Sequence, residues 1–141
     1  EPPVPALQQA IDAAFDARAP VRAADDTRWA NYAKGVFHEM AAAGFPVGGC
    51  DLTVVSGVPD GSGVSSSAAL LVGVATALRA AFPGPDLDPM ALARLCRRAE
   101  NGPFVGAPVG LLDQFSSSCG KAGHALFLDC RTLDWSAVPL P

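Results

Sequence analysis

A glycine- and serine-rich stretch between two apolar segments has the residue types that suit phosphate binding. It runs Val58-Pro59-Asp60-Gly61-Ser62-Gly63-Val64-Ser65-Ser66-Ser67-Ala68-Ala69. Gly61 and Gly63 allow the backbone to curve closely around an anion. The hydroxyls of Ser65, Ser66 and Ser67 could cap a helix or reach a phosphate or a metal ion. From the stretch alone, anion binding and an ordinary loop with a serine cap are equally open.

The flanking elements favour the anion site. Residues 50–55 are β-branched and apolar, which predicts a strand, and residues 68–81 are rich in Ala and Leu, which predicts a helix. The first amides of a helix lack internal partners, and the macrodipole places partial positive charge there. The stretch is neither a Walker A loop, since no Lys follows its glycines, nor a dinucleotide fingerprint, since Ser66 replaces the third glycine. It also lacks the closing glycine of a nucleophile elbow.

Composition bounds the class of protein. The 141 residues are 50% hydrophobic and 17% charged, which predicts one folded domain. The net charge of −4 argues against a nucleic-acid partner. The four cysteines are widely spaced, which favours reduced thiols in a cytoplasmic protein over a zinc site or a disulfide scaffold. The longest apolar run is too short to span a bilayer, so we expect no membrane association.

The other elements follow from periodicity and breakers. Together with the strand at 50–55 and the helix at 68–81, the patterns predict five helices and two strands. The other four helices are predicted over 6–17, 26–43, 88–100 and 110–118, and the second strand over 124–129. Asp26 or Thr27 would cap the second helix, and Asp88 with Pro89 would start the helix at 88. We expect the mainly apolar strand at 124–129 to lie in a sheet interior.

Four segments in order resemble the galactokinase branch of the galactose, homoserine, mevalonate and phosphomevalonate kinase superfamily. The stretch from Pro59 to Ala68 resembles its phosphate loop, Pro-x-Gly-x-Gly-Leu-Ser-Ser-Ser-Ala. The other three are Arg28-Trp29-Ala30-Asn31-Tyr32-Ala33-Lys34-Gly35-Val36, Gly110-Leu111-Leu112-Asp113-Gln114-Phe115 and Gly123-His124-Ala125-Leu126-Phe127-Leu128-Asp129-Cys130-Arg131. The resemblance implies an α+β fold similar to domain 2 of ribosomal protein S5, with a mixed or antiparallel sheet covered by helices, incomplete here. Residues 28–141 would form part of the ATP-binding N-terminal domain, and residues 1–27 stay unassigned.

The resemblance implies a sugar kinase that transfers phosphate from ATP to the C1 hydroxyl of galactose or a related monosaccharide. Asp113 would be the catalytic base, although its position alone also suits a first-turn helix acid. Ser67 and Glu100 would hold Mg²⁺, although Glu100 alone could be a solvated helix-terminal residue. Trp29 and Tyr32 would lie beside the adenine, the alternative being core packing. The ATP phosphates would be bound by Gly61, Ser62, Gly63, Val64, Ser65, Ser66 and Ser67.

Two departures from the family pattern bear on activity. The usual spacing is one residue shorter than the 13 positions from Glu100 to Asp113, and the extra residue is expected near Gly102 and Pro103. The family's N-terminal Gly-Glu-His-Thr-Asp-Tyr signature, which supplies much of the sugar pocket, does not occur here. We therefore expect little or no catalysis from these residues alone. A non-catalytic sensor of sugar and ATP, or a kinase for a related sugar, remains the alternative.

Overall fold

The computed structural model describes residues 9–11, 28–59 and 61–141. Within this part of the chain four helices and four strands are present, so the α+β prediction is confirmed. The helices are α1 (Ala30–Ala42), α2 (Ser66–Ala81), α3 (Pro89–Asn101) and α4 (Leu112–Cys119). The strands are β1 (Gln9–Ile11), β2 (Leu52–Val54), β3 (His124–Leu128) and β4 (Trp135–Pro139). No helix of the described chain is long and apolar enough to cross a bilayer.

The first three helices enclose the main core. Each presents an apolar face at helical period, and α1 packs against both α2 and α3. The α1–α3 crossing is close because Gly35 faces the helix backbone: a Cβ there would lie 2.8 Å from the carbonyl oxygen of Ala99. The fully buried members of this core include Val36, Met40, Leu71, Ala75, Leu95 and Cys96.

The ends of α1 follow its sequence only in part. Gly44, at φ +89°, ends the helix as its position predicts, because the left-handed conformation lets its amide and that of Phe45 bond to carbonyls of the last turn. The helix begins at Ala30, after Trp29, with no side-chain cap. The caps predicted at Asp26 or Thr27 lie outside the described residues.

Helix α3 begins as the sequence predicts and positions α4. The Asp88 carboxylate accepts a hydrogen bond of 2.7 Å from the amide of Ala91, and Pro89 occupies the first helical position. The opposite side of α3 packs against α4 and β3 in a second core. That core contains Met90, Ala93, Leu111, Phe115 and Cys119, with Leu126, Leu128 and Leu133 packed against them.

Strands β3 and β4 form an antiparallel hairpin in which His124 pairs with Pro139 and Leu128 with Trp135. The predicted strand at 124–129 is confirmed, but β4 was not predicted. The expected sheet interior is wrong for the described chain, because β3 alternates half-buried and exposed residues and Phe127 is 65% exposed. One face of the hairpin contacts α4 while the other lies at the surface.

Strand β1 corrects the prediction of a helix over residues 6–17. Residues 9–11 are extended and pair antiparallel with β2, Gln9 opposite Val54 and Ile11 opposite Leu52. The predicted helix rested on three apolar residues at a spacing of four, a weak pattern that a tertiary strand pairing overrides. The other residues of that predicted helix lie outside the described chain. The two strand pairs form separate two-stranded antiparallel sheets.

Candidate phosphate and metal site

The loop before α2 has a backbone shape that suits anion binding. Its φ angles are positive at Gly61 (+66°), Gly63 (+76°) and Ser65 (+60°), and negative at the residues between them. Such alternation turns successive amides toward one side and forms a concave nest for an anion. A Cβ at Gly61 or Gly63 would meet no atom within 4 Å, so the need for glycine there comes from the backbone angle and not from crowding.

The start of α2 is open rather than capped by a side chain. Ser65 occupies the N-cap position in the left-handed conformation, a strained geometry for a residue with a Cβ, and its hydroxyl makes no cap hydrogen bond. The expected serine cap is therefore wrong for Ser65. The first helical bond joins the amide of Ala69 to the carbonyl of Ser65 at 3.1 Å, which leaves the amides of Ser67 and Ala68 ahead of the hydrogen-bond ladder.

The rest of the loop is held by one local contact. The Ser62 hydroxyl donates to the carbonyl of Pro59 at 2.9 Å, which closes the loop on itself. The loop residues Gly61, Ser62, Gly63 and Val64 are exposed, and the three serines that follow are half-buried. The nest is therefore accessible from solvent.

A groove of about 380 Å³ adjoins this loop between β2 and α2. Residues 52–58 form one wall, and Ala69, Gly73 and Ala77 contribute to the other. Neither Trp29 nor Tyr32 lines it.

The two aromatic residues predicted to lie beside adenine are at the beginning of α1. Trp29 is half-buried at the N-cap, and Tyr32 is half-buried against the main core. Tyr32 therefore packs as its position on an apolar helix face predicts. Contact with an adenine stays a prediction for both residues.

Glu100 is a buried carboxylate in the last turn of α3. It is 3% exposed, and its Oε2 accepts a hydrogen bond of 2.5 Å from Nε2 of Gln114, which is 1% exposed. Within the described residues it takes part in no ion pair. The alternative of a solvated terminal glutamate is therefore wrong. A hydrogen bond to a charged group contributes about 1.5–3 kcal/mol and offsets part of the cost of burial.

Gln114 was missed by the sequence analysis. Its signal is a polar residue on the apolar face of a short helix, where Leu111, Phe115 and Cys119 are its buried neighbours. Its Oε1 is buried and has no hydrogen-bond partner within the described chain. A polar side chain in that position needs a reason other than packing.

Asp113 precedes Gln114 and faces the other way. It is exposed in the first turn of α4, where a carboxylate is favoured by the helix dipole. Its backbone carbonyl accepts a hydrogen bond of 3.0 Å from the Ser116 hydroxyl. Its carboxylate has no partner among the described residues, so it is available to a ligand.

Glu100 lies within α3, and the loop between it and Asp113, where the resemblance predicts one extra residue, is closed by hydrogen bonds. The Asn101 side chain bonds both backbone groups of Val109, at 3.3 and 3.1 Å, and the Glu100 carbonyl accepts from the amide of Ala107 at 3.0 Å. These bonds close the loop at its base. The turn that follows Asn101 includes Gly106, at φ +73°, whose amide donates to the carbonyl of Gly102 at 2.8 Å.

The oxygen donors of Glu100 and Ser67 suit Mg²⁺ better than a softer metal. Mg²⁺ prefers hard oxygen ligands and retains several waters, so one carboxylate and one hydroxyl suffice. A buried carboxylate without a cationic partner is the environment that a cation would complete. No described hydrogen bond joins Ser67 to Glu100, although α2 packs against both α3 and α4. Groups of three or more His, Cys, Asp or Glu side chains that could hold a metal do not occur in the described part of the chain.

Cys96 lies one turn before Glu100 and is buried in the same part of α3. Burial, followed by the negative charge of Glu100, raises the pKa of its thiol to about 12, with Arg98 opposing part of the shift. The thiol therefore stays protonated and unreactive at neutral pH.

Comparison with known proteins agrees with this geometry. A galactokinase of Streptomyces coelicolor is 47% identical over 114 residues, which cover 81% of this chain and 29% of that protein. A crystal structure of Lactococcus lactis galactokinase complexed with galactose matches with a TM-score of 0.74 at 31% identity, over 83% of this chain and 30% of that one. The chain thus spans about 30% of the length of these relatives. Residues 31–121 match the GHMP kinases N terminal domain, and the chain belongs to this kinase family.

Proposed function

We propose that the protein carrying this chain phosphorylates galactose, or a closely related monosaccharide, at the C1 hydroxyl with ATP as the donor. The observation that carries the proposal is the nest at residues 61–65, which opens at the uncapped start of α2. The 47% identity to a galactokinase supports galactose as the acceptor.

The nest and the first turn of α2 would bind the phosphates of ATP. The alternating φ angles of this loop would turn backbone amides toward a common anion, and the helix dipole would add positive potential at the same place. Because these donors are part of the backbone, they are preorganised for the charge that develops on the transferred phosphoryl group. Trp29 and Tyr32 would lie beside the adenine.

Asp113 would act as the base. Its exposed carboxylate would accept the proton of the sugar C1 hydroxyl as that oxygen forms a bond to the γ-phosphorus and the bond from phosphorus to the bridging oxygen of ADP breaks. The products are the sugar 1-phosphate and ADP. The unpaired state of the carboxylate supports this role, since a base must be free to take the proton.

Ser67 and Glu100 would hold Mg²⁺. When bound, Mg²⁺ neutralises charge on the ATP phosphates. The Ser67 hydroxyl and the Glu100 carboxylate would supply the hard oxygen donors. Because Glu100 is buried, few water molecules would compete with its carboxylate for the cation.

The proposal is tested by incubating the purified full-length protein that carries this chain with MgATP and a panel of monosaccharides and detecting products by ³¹P NMR. We expect a signal of a sugar 1-phosphate with galactose or one of its close relatives. Isothermal titration on the same sample measures MgATP binding. Binding of MgATP without phosphorylation of any sugar in the panel would refute the proposed activity.

A further inference from the structure

We propose that Gln114 is a positioning residue for Glu100, holding its carboxylate in the orientation in which it binds the metal. The inference rests on the proposed function, because it assumes that Glu100 is a metal ligand. It adds a residue to the site, and it gives the two members of the Asp113–Gln114 pair separate tasks.

The geometry supports a directed contact. Nε2 of Gln114 lies 2.5 Å from Oε2 of Glu100, and both side chains are almost wholly buried. The amide nitrogen must face the carboxylate, because an oxygen in that place would repel it. The contact engages Oε2 of Glu100 and leaves Oε1 of the same carboxylate as the candidate ligand atom. A fixed rotamer of this kind is what neighbouring hydrogen bonds provide to metal ligands.

The amide is a suitable partner because it carries no charge. A Lys or Arg in the same place would neutralise Glu100 and weaken its attraction for a cation. The amide instead orients the carboxylate and leaves its negative charge available. No ion pair of the described chain involves Glu100, so no cationic side chain neutralises the carboxylate that Gln114 orients.

A role in packing alone does not account for Gln114. Its Oε1 is buried without a hydrogen-bond partner in the described chain, so the amide carries a desolvation cost that an apolar residue of similar size would avoid. Its described side-chain hydrogen bond is the one to Glu100.

The same helical turn connects the two parts of the site. Asp113 and Gln114 are consecutive in the first turn of α4, one exposed and the other buried. The contact between Gln114 and Glu100 links this turn to the end of α3. The placement of the base and the orientation of the metal ligand therefore depend on one short segment.

The test compares variants of the protein by their affinity for Mn²⁺, measured by electron paramagnetic resonance in the presence of a non-hydrolysable ATP analogue. Gln114→Met removes the hydrogen bond and keeps the length of the side chain. Phe115→Leu is the structural control, since Phe115 lies in the same turn, is equally buried and contributes only packing. Glu100→Gln removes the assumed ligand charge. Gln114→Asn, one methylene shorter, is the second variant if the methionine form does not fold.

We expect Gln114→Met to weaken Mn²⁺ binding by about 10- to 100-fold, the usual effect of losing a partner of a metal ligand. Phe115→Leu should leave the affinity unchanged. In the Glu100→Gln background, Gln114→Met should cause no further loss, because the contact is already altered. In steady-state kinetics the KM for Mg²⁺ should rise more than kcat falls.

The outcomes separate the inference from the proposed function. Equal losses in Gln114→Met and Phe115→Leu would mean a structural role only and would overturn the inference. A loss in Glu100→Gln but none in Gln114→Met would overturn it as well, while leaving Glu100 as a metal ligand. If Glu100→Gln itself binds Mn²⁺ normally, the proposed metal role of Glu100 fails, and the inference fails with it.

Discussion

Gly63→Ala isolates the contribution of the backbone nest to ATP binding. Gly63 has a φ of +76°, and an added Cβ would contact no atom within 4 Å, so the methyl group itself causes no clash. The cost comes from the left-handed conformation, which disfavours an L-residue by about 1–2 kcal/mol. An exposed loop can avoid that cost by returning to negative φ, but its amide then turns away from the anion. Binding then has to restore the left-handed conformation, so its cost is taken from the binding free energy, and we expect MgATP affinity to fall about 5- to 30-fold.

Gly73→Ala is the matched control. Gly73 lies within α2, has no positive φ, and an added Cβ there also meets no atom within 4 Å. The same chemical change should therefore raise the free energy of unfolding by about 0.5–1 kcal/mol and leave nucleotide binding unchanged. Isothermal titration with MgATP and urea unfolding of both variants provide the two measurements.

The result that would refute the reasoning is normal MgATP binding by Gly63→Ala. It would mean that the amides of this loop do not form the phosphate site, or that the loop takes another backbone conformation in solution. A loss of affinity shared by Gly73→Ala would point instead to a general effect on α2.

Three further outcomes follow from single contacts. Asp113→Asn should lower kcat by about 10²- to 10⁴-fold with unchanged MgATP affinity, measured by a coupled ADP assay, whereas Asp134→Asn, an exposed residue of the hairpin, should be neutral. Gly35→Ala should lower the free energy of unfolding by about 1–3 kcal/mol in urea, because its Cβ would lie 2.8 Å from a backbone carbonyl of α3. With a thiol reagent at pH 8, the exposed Cys50 and Cys130 should react in the native protein, while Cys96, with its pKa raised to about 12, should react only on unfolding.

Local signals in the sequence were sufficient for most of the helical framework. Asp88 and Pro89 define the start of α3 by chemistry that operates within a few residues, and Gly44 defines the end of α1 in the same way. The shape of the glycine- and serine-rich loop was also predicted from local signals. Gly61 and Gly63 adopt the positive φ angles that glycine at those positions suggests.

The features that the sequence did not predict depend on distant partners. Strand β1 is extended because β2, some forty positions later, offers it a pairing edge. Strand β4 likewise exists through its register with β3. The contact of Gln114 with Glu100, 14 positions away, forms only when the fold brings α3 and α4 together. Spacing along the chain does not predict a contact of this type.

Two sets of side-chain contacts fix the relation in space between the end of α3 and the first turn of α4. They act from opposite sides of the connecting loop. Asn101 binds Val109 across the base of the loop, and Gln114 binds Glu100 in the core. With both ends held, an added residue in the exposed turn near Gly106 would move neither helix. The side-chain contacts, and not the length of the loop, therefore hold Glu100 and Asp113 in their relative positions.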